Sequence, residues 1–116
     1  MLRRLLVLAA AVAVLGWAAA AVADATVEKG MKVYTEAKPA CKMCHAIGGV
    51  GNAKGSLDDV GSKLKAEDIK AWLRTPKEMT EKAKATRKPP MPAYSPEKLP
   101  DADVEALTAY LLSLKK

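Results

Sequence analysis

The chain has 116 residues, with 19 basic and 13 acidic side chains and a formal net charge of +6. It contains no phenylalanine, and aromatic residues make up 4% of it, so a single domain of this length has few large side chains for its core. The positive balance suits weak docking to an acidic partner surface, and it is too small to indicate nucleic-acid binding.

The first 23 residues have the pattern of a secretory signal peptide. Two arginines near the start precede an uncharged stretch over residues 5–23, which ends in the small-x-small sequence Ala-Val-Ala. We expect cleavage of residues 1–23 and export of one domain, residues 24–116, to the periplasm. The alternative is a retained membrane anchor, because the 19 uncharged residues are marginally long enough to span a bilayer.

The exported domain is predicted to begin with a helix over residues 26–37, which ends before Pro39. Apolar and small residues recur along it at helical spacing and so share one face. The residues of this face, which we expect to point towards the core, are Val27, Gly30, Met31 and Tyr34.

Directly after this helix, Cys41-Lys42-Met43-Cys44-His45 forms the Cys-x-x-Cys-His pattern by which c-type haem is attached. The two thiols can add across the two vinyl groups of one porphyrin. The next residue then lies under the ring, where its imidazole reaches the iron. The motif uses both cysteines and the one histidine of the chain. We therefore predict one covalent haem c, with thioethers at Cys41 and Cys44 and with His45 as the proximal iron ligand.

Other uses of the two cysteines fit the sequence less well. A thiol–disulfide exchange site usually lies in a βαβ setting, and no strand-like pattern surrounds this pair. A structural zinc site needs four ligands, and the chain has three Cys and His residues in all. A haem would also supply the apolar surface that the composition lacks. We therefore expect it to form part of the core, and the haem-free chain to be largely unfolded.

Beyond the motif, residues 48–55 form a glycine-rich loop that matches no phosphate-binding pattern. A second helix is predicted over residues 66–75, with Pro76 after its end. The basic stretch 77–88 has room for a short helix over 78–85. Pro89-Pro90-Met91-Pro92 excludes both helix and strand pairing, so we expect a stiff extended loop there.

The last predicted helix starts at Pro100 and Asp101 and continues to the end of the chain. It has acidic residues in its first turns and two lysines at its end, which suits the helix dipole. Its buried stripe consists of Val104, Leu107, Leu111 and Leu114. No run of residues alternates with the period of a strand. The fold class is therefore predicted to be all-α, with three to five short helices.

The second axial position on the iron cannot be taken by another histidine of the chain, so a methionine is the expected ligand. Met91 is preferred because prolines on both sides hold it in a non-helical loop. It lies 46 residues after His45, far enough to reach the opposite face of the haem. Two alternatives stay open: Met79 is the ligand, or Met91 only fills a gap in the packing.

Taken together, these features resemble a small bacterial monohaem class I cytochrome c, and the likeness covers residues 24–116. The resemblance implies that Gly30 allows the first and last helices to approach, that Tyr34 packs against the last helix, and that Trp72 lies near the haem. One departure concerns His45. Many relatives have a proline after the motif whose carbonyl accepts a hydrogen bond from the histidine Nδ1–H. Here Gly55-Ser56-Leu57 occupies that region, so the sequence leaves open which carbonyl orients His45.

The resemblance implies a periplasmic one-electron carrier rather than an enzyme, with no small-molecule substrate and no nucleic-acid partner. Its partners would be donor and acceptor redox proteins with acidic docking surfaces, which would meet a rim of lysines: Lys42, Lys54, Lys84 and Lys88. An alternative is a haem subunit that relays electrons inside a larger periplasmic or membrane-bound oxidoreductase. A haem peroxidase or gas sensor is disfavoured, because the sequence offers no distal His or Arg constellation.

Overall fold

The computed structural model describes the backbone of residues 13–116 and the side chains of residues 25–116. The predicted signal peptide begins in residues 1–12, which lie outside the described residues. Its cleavage therefore stays a prediction. Among the residues that are described, no helix combines the length and the apolar character needed to cross a membrane.

Helices make up most of the described chain, which confirms the all-α prediction. In chain order they are α1 (Ala13–Glu36), α2 (Val60–Lys63), α3 (Ala66–Arg74), α4 (Pro76–Ala83) and α5 (Asp101–Leu112). Two 3₁₀ turns lie between α1 and α2, at Cys41–Met43 and Ala53–Gly55. Between these turns, β1 (Ala46–Ile47) pairs antiparallel with β2 (Val50–Gly51). No sequence pattern predicts this hairpin, because two-residue strands are too short to show an alternation.

The first two residues of the glycine-rich loop form the turn of this hairpin. Gly48 and Gly49 have φ angles of +59° and +82°, a left-handed region that glycine adopts without strain and that most other residues rarely adopt. The Gly48 N–H donates to the Asp58 carboxylate over 2.7 Å, and this bond holds the turn against the segment that follows the hairpin. At the other end, the Asn52 N–H donates to the His45 carbonyl over 2.9 Å. The hairpin therefore folds the chain back towards the attachment motif.

Helices α1 and α5 pack against each other at Gly30. A Cβ built on Gly30 would overlap the Ala106 carbonyl oxygen and would lie 2.6 Å from the Tyr110 Cβ. The backbones can therefore approach this closely only with glycine at the crossing. Beside it, the rings of Tyr34 and Tyr110 meet edge to face with centroids 6.1 Å apart. Both contacts are those that the family resemblance implies.

The inward face of α1 differs from the predicted one at Met31. Gly30, Val33 and Ala37 are buried, whereas 49% of the Met31 surface is exposed, so the expectation that Met31 belongs to the core is wrong. Because α1 and α5 approach each other most closely at Gly30, their contact follows residues that are spaced three and four positions apart, which are Gly30, Val33 and Ala37. The residue after Gly30 is turned by about 100° away from that line.

Helices α3 and α5 begin where the sequence predicts, although neither has a serine or threonine cap. At the start of α3, the Asp68 carboxylate accepts from the Lys65 backbone N–H over 3.2 Å, which is one of the two hydrogen bonds of a capping box. Arg74, the last residue of α3, reaches Asp101 at the start of α5 over 2.8 Å. This ion pair ties the end of one helix to the beginning of the other.

Replacing Gly30 with alanine is expected to lower the free energy of unfolding by about 1–3 kcal/mol, because the new Cβ meets a backbone carbonyl that cannot rotate away. Guanidinium unfolding of the purified protein measures this change. Gly48→Asn is the matched control, because no atom lies within 4 Å of a Cβ at Gly48 and asparagine tolerates its positive φ. Equal midpoints for Gly30→Ala and the parent would contradict the close crossing.

Candidate functional site

An apolar cleft of about 260 Å³ is lined by both the attachment motif and the Met91 loop. Cys44 and His45 contribute from the motif, and Pro89, Pro90 and Met91 contribute from the loop. Between them the lining is mostly aliphatic and aromatic, and it consists of Leu57, Val60, Leu64, Ile69, Trp72, Leu73, Thr80, Ala85, Arg87 and Leu111. Segments that are 46 positions apart in sequence therefore meet at one site.

The attachment motif coils as a single 3₁₀ turn. The backbone N–H groups of Cys44 and His45 both donate to the Cys41 carbonyl, over 3.1 and 2.9 Å. Both cysteines are free thiols. Cys44 lines the cleft, whereas Cys41 packs against the hydrophobic core, where burial raises the pKa of its thiol. The turn therefore presents two thiols and an imidazole from one short, hydrogen-bonded segment.

The Gly55 carbonyl is the group that orients His45. His45 Nδ1 lies 3.0 Å from the Gly55 carbonyl oxygen. Because a carbonyl oxygen can only accept, Nδ1 must carry the hydrogen, and Nε2 keeps the lone pair that binds a metal. Burial lowers the pKa of His45, and the nearby Arg87 cation acts in the same direction. The hydrogen bond to Gly55 raises the pKa, but burial has the larger effect, so the pKa of His45 is lowered on balance and the neutral, ligating imidazole is favoured.

Among the methionines with described side chains, Met91 has the position that a ligand in the cleft requires. Met91 is half-buried and lines the cleft, whereas Met79 lies on α4 and does not. Met43 is 68% exposed and Met31 is 49% exposed, so both are largely outside the packing. These positions favour Met91 over Met79, and its role as a ligand stays a prediction.

Comparison with known proteins agrees with this geometry. The family described as "Cytochrome c" matches residues 27–115, which is most of the chain. The chain belongs to the cytochrome c family. The family implies haem c as cofactor, haem-based electron transfer as activity and redox proteins as partners. It also accounts for the helical fold.

One curated relative has a longer chain. It is the cytochrome c oxidase subunit 2 of Alkalihalophilus pseudofirmus, which is 33% identical to this cytochrome c domain over 96 residues. The alignment covers 75% of this chain and 25% of that protein, so the chain spans about a quarter of the relative's length. No solved structure matches the chain.

The residues of the cleft fit a haem. The mainly apolar lining suits the faces of a porphyrin, and the site brings together a thiol, a neutral imidazole and a soft thioether, which are the donors that haem c uses. Ile69, Leu73 and Leu111 belong both to the cleft and to the buried core. If about 400 Å² of porphyrin surface were buried here, the gross stabilisation would be about 10 kcal/mol.

A zinc site of protein ligands is not supported. Within the part of the chain that the structure describes, no three His, Cys, Asp or Glu side chains are grouped so that they could hold a metal ion. Cys41 begins a 3₁₀ turn and Cys44 directly follows it, which is not the βαβ setting of thiol–disulfide exchange proteins. Both alternative uses of the cysteines are therefore less consistent with the structure than haem attachment.

Gly55 has a functional role that the sequence alone did not single out within Gly55-Ser56-Leu57. A Cβ at Gly55 would overlap the Cys44 carbonyl oxygen and the Arg87 guanidinium, and it would lie 3.0 Å from His45 Nδ1. Only glycine lets the backbone come close enough for its carbonyl to reach the imidazole. The signal was present in the glycine-rich loop, but the spacing of its glycines does not reveal which of them contacts His45.

The predicted lysine rim is exposed. Lys42 and Lys54 flank the hairpin, and Lys84 and Lys88 lie on either side of Arg87, in the approach to the Met91 loop. In the residues that the structure describes, the ion pairs involve Lys29, Lys70 and Arg74 rather than any of these four. Their charges are therefore available to a partner surface.

Proposed function

We propose that this cytochrome c domain is a periplasmic one-electron carrier with one haem c attached through Cys41 and Cys44. The observation that carries the proposal is the meeting of Cys44, His45 and Met91 at one apolar cleft. A haem held there supplies a one-electron ferrous–ferric couple. The chain itself binds and orients this group, and it has no catalytic role of its own.

His45 and Met91 are the proposed axial ligands. The bond to Gly55 holds the imidazole in one tautomer and one orientation and increases its basicity as a ligand. The Met91 thioether favours ferrous over ferric iron and so raises the reduction potential. A haem held by both His45 and Met91 would have no open position on its iron for oxygen or peroxide. These roles suit electron transfer without side reactions.

The proposed location follows from the first 23 residues. A positive start, an uncharged stretch and an Ala-Val-Ala end are the features of a secretory signal that is removed on export. The mature domain would then be residues 24–116, with 17 basic and 13 acidic side chains and a net charge of +4. A soluble periplasmic domain of this charge is suited to binding several acidic partners transiently, one after another.

Met91→Ala is expected to remove the far-red absorption band of ferric thioether-ligated haem and to lower the reduction potential by on the order of 0.1–0.3 V. The physical reason is loss of the soft ligand that stabilises ferrous iron. Optical spectra and a redox titration measure both effects. Met79→Ala is the matched control, because Met79 does not line the cleft. A band that survives in Met91→Ala and disappears in Met79→Ala would reverse the assignment.

Electron transfer to a physiological partner is expected to slow as ionic strength rises, because salt screens the attraction between the lysine rim and an acidic surface. Stopped-flow measurement of the second-order rate constant between about 0.01 and 0.3 M salt should show a fall of about tenfold or more. Lys54→Gln should flatten this dependence, and Lys70→Gln, which removes a lysine already paired with Glu105, is the control. A rate constant that does not change with salt would contradict steering by charge.

A second function is favoured by the likeness to an oxidase subunit: the domain would be an internal electron relay of a larger oxidoreductase. Size-exclusion chromatography of native periplasmic and membrane extracts separates the two functions. A free carrier elutes at the size of a domain of residues 24–116. Haem staining confined to a high-mass or membrane fraction would instead support the relay, or a retained anchor if the intact chain begins before residue 24.

A further inference from the structure

The loop that carries Met91 has no hydrogen bonds of its own. In the described structure, no backbone or side-chain hydrogen bond involves residues 86–93, and three of these residues are prolines without an N–H. The last hydrogen bond before the loop joins the Ala85 N–H to the Thr80 carbonyl over 3.0 Å. The first after it is made by Tyr94. The position of Met91 therefore depends on the anchors at the two ends of the loop.

Tyr94 is the stronger of these anchors. Its backbone N–H donates to the Leu73 carbonyl over 2.8 Å, and its carbonyl accepts from Arg74 Nη1 over 2.9 Å. Both partners belong to the end of α3, which is packed into the core. Only 4% of the Tyr94 surface is exposed, so the residue is fixed by burial as well as by hydrogen bonds.

The side chain of Tyr94 makes a third bond, and this one crosses to the other side of the site. Its hydroxyl donates to the Pro39 carbonyl over 2.6 Å. Pro39 lies two residues before Cys41, where the chain enters the attachment motif. Burial raises the pKa of Tyr94, and the nearby Cys41 thiol adds to the rise, so the hydroxyl keeps its proton and acts as a donor. One side chain thus joins the segment that ends in His45 to the loop that carries Met91.

We propose that Tyr94 is a positioning residue that holds the Met91 loop against the attachment segment and thereby controls how often the Met91 thioether leaves the iron. This inference rests on the proposed ligation by His45 and Met91. A loop without internal hydrogen bonds opens at a rate that its anchors set. Loss of the hydroxyl leaves the ring packed in place but removes the bond by which Tyr94 holds the Pro39 carbonyl.

The test is the rate at which added imidazole displaces Met91 in the ferric holoprotein, followed by loss of the far-red thioether band. At saturating imidazole this rate reports the opening of the loop. In the Tyr94→Phe variant, the Met91 loop is expected to open about three- to tenfold faster than in the parent. This is the effect expected from the loss of one hydrogen bond that holds the loop closed. Arg74→Gln, which removes the bond to the Tyr94 carbonyl, should act in the same direction.

Two controls separate this role from a general loss of stability. Tyr34→Phe removes a buried hydroxyl that has no hydrogen-bond partner, so its opening rate should match that of the parent. Gly30→Ala loosens the crossing of α1 and α5 and lowers global stability without touching the loop, so it should also leave the opening rate unchanged. If loop opening only followed global stability, Gly30→Ala would accelerate it in proportion to the free energy of unfolding that this substitution removes.

The outcomes distinguish the two proposals. If the parent shows the thioether band and Tyr94→Phe exchanges at the parental rate, the positioning role of Tyr94 is wrong and the ligand assignment stands. The positioning role is equally wrong if Gly30→Ala accelerates exchange as much as Tyr94→Phe does. If the parent lacks the band, the ligation by Met91 is wrong, and the role of Tyr94 is overturned with it.

Discussion

The hydrogen bond between His45 Nδ1 and the Gly55 carbonyl is the interaction on which the site depends. It determines which ring nitrogen carries the hydrogen, and so leaves Nε2 as the nitrogen that can bind iron. The bond needs the close backbone approach that only glycine allows at position 55. That approach in turn needs the hairpin, whose left-handed glycines fold the chain back onto the motif. A local turn thus holds the imidazole in the orientation that leaves Nε2 free to bind a metal.

The cofactor site and the hydrophobic core are parts of one packed region. Ile69, Leu73 and Leu111 are buried in the core and also line the cleft. A chain without phenylalanine has little other apolar bulk to place there. The scarcity of large side chains would be compatible with a stable domain if a haem in the cleft completed the packing. The same residues therefore serve stability and function, and substitutions in α3 or α5 should affect both.

Much of this arrangement could be predicted from the sequence, because its strongest features are local. The Cys-x-x-Cys-His motif specifies a chemistry through spacing alone, and the periodicity of α3 and α5 predicts their bounds to within a few residues. The contact of Gly30 with α5 follows from the family resemblance. The prediction of a buried Met31 is wrong, because periodicity gives the width of an apolar face but not the line along which the partner helix approaches.

The carbonyl that orients His45 and the anchors of the Met91 loop could not be predicted, because they depend on contacts between distant segments. Tyr94 meets Pro39 across 55 positions of sequence, and neither residue belongs to a motif that indicates the contact. Backbone carbonyls are present at every position, so a pattern of side chains does not identify the one that accepts a hydrogen bond. These are also the features that decide how the ligands are held.

The central claim is that one haem is bonded covalently to both Cys41 and Cys44. The most direct test is mass spectrometry of the purified protein after denaturation and acid–acetone extraction, followed by sequencing of the peptide that contains both cysteines. Every purified chain is expected to retain the mass of one haem, and both sulfurs of this peptide are expected to carry it. A colourless chain of unmodified mass, or a pigment that the solvent extracts, would contradict the account.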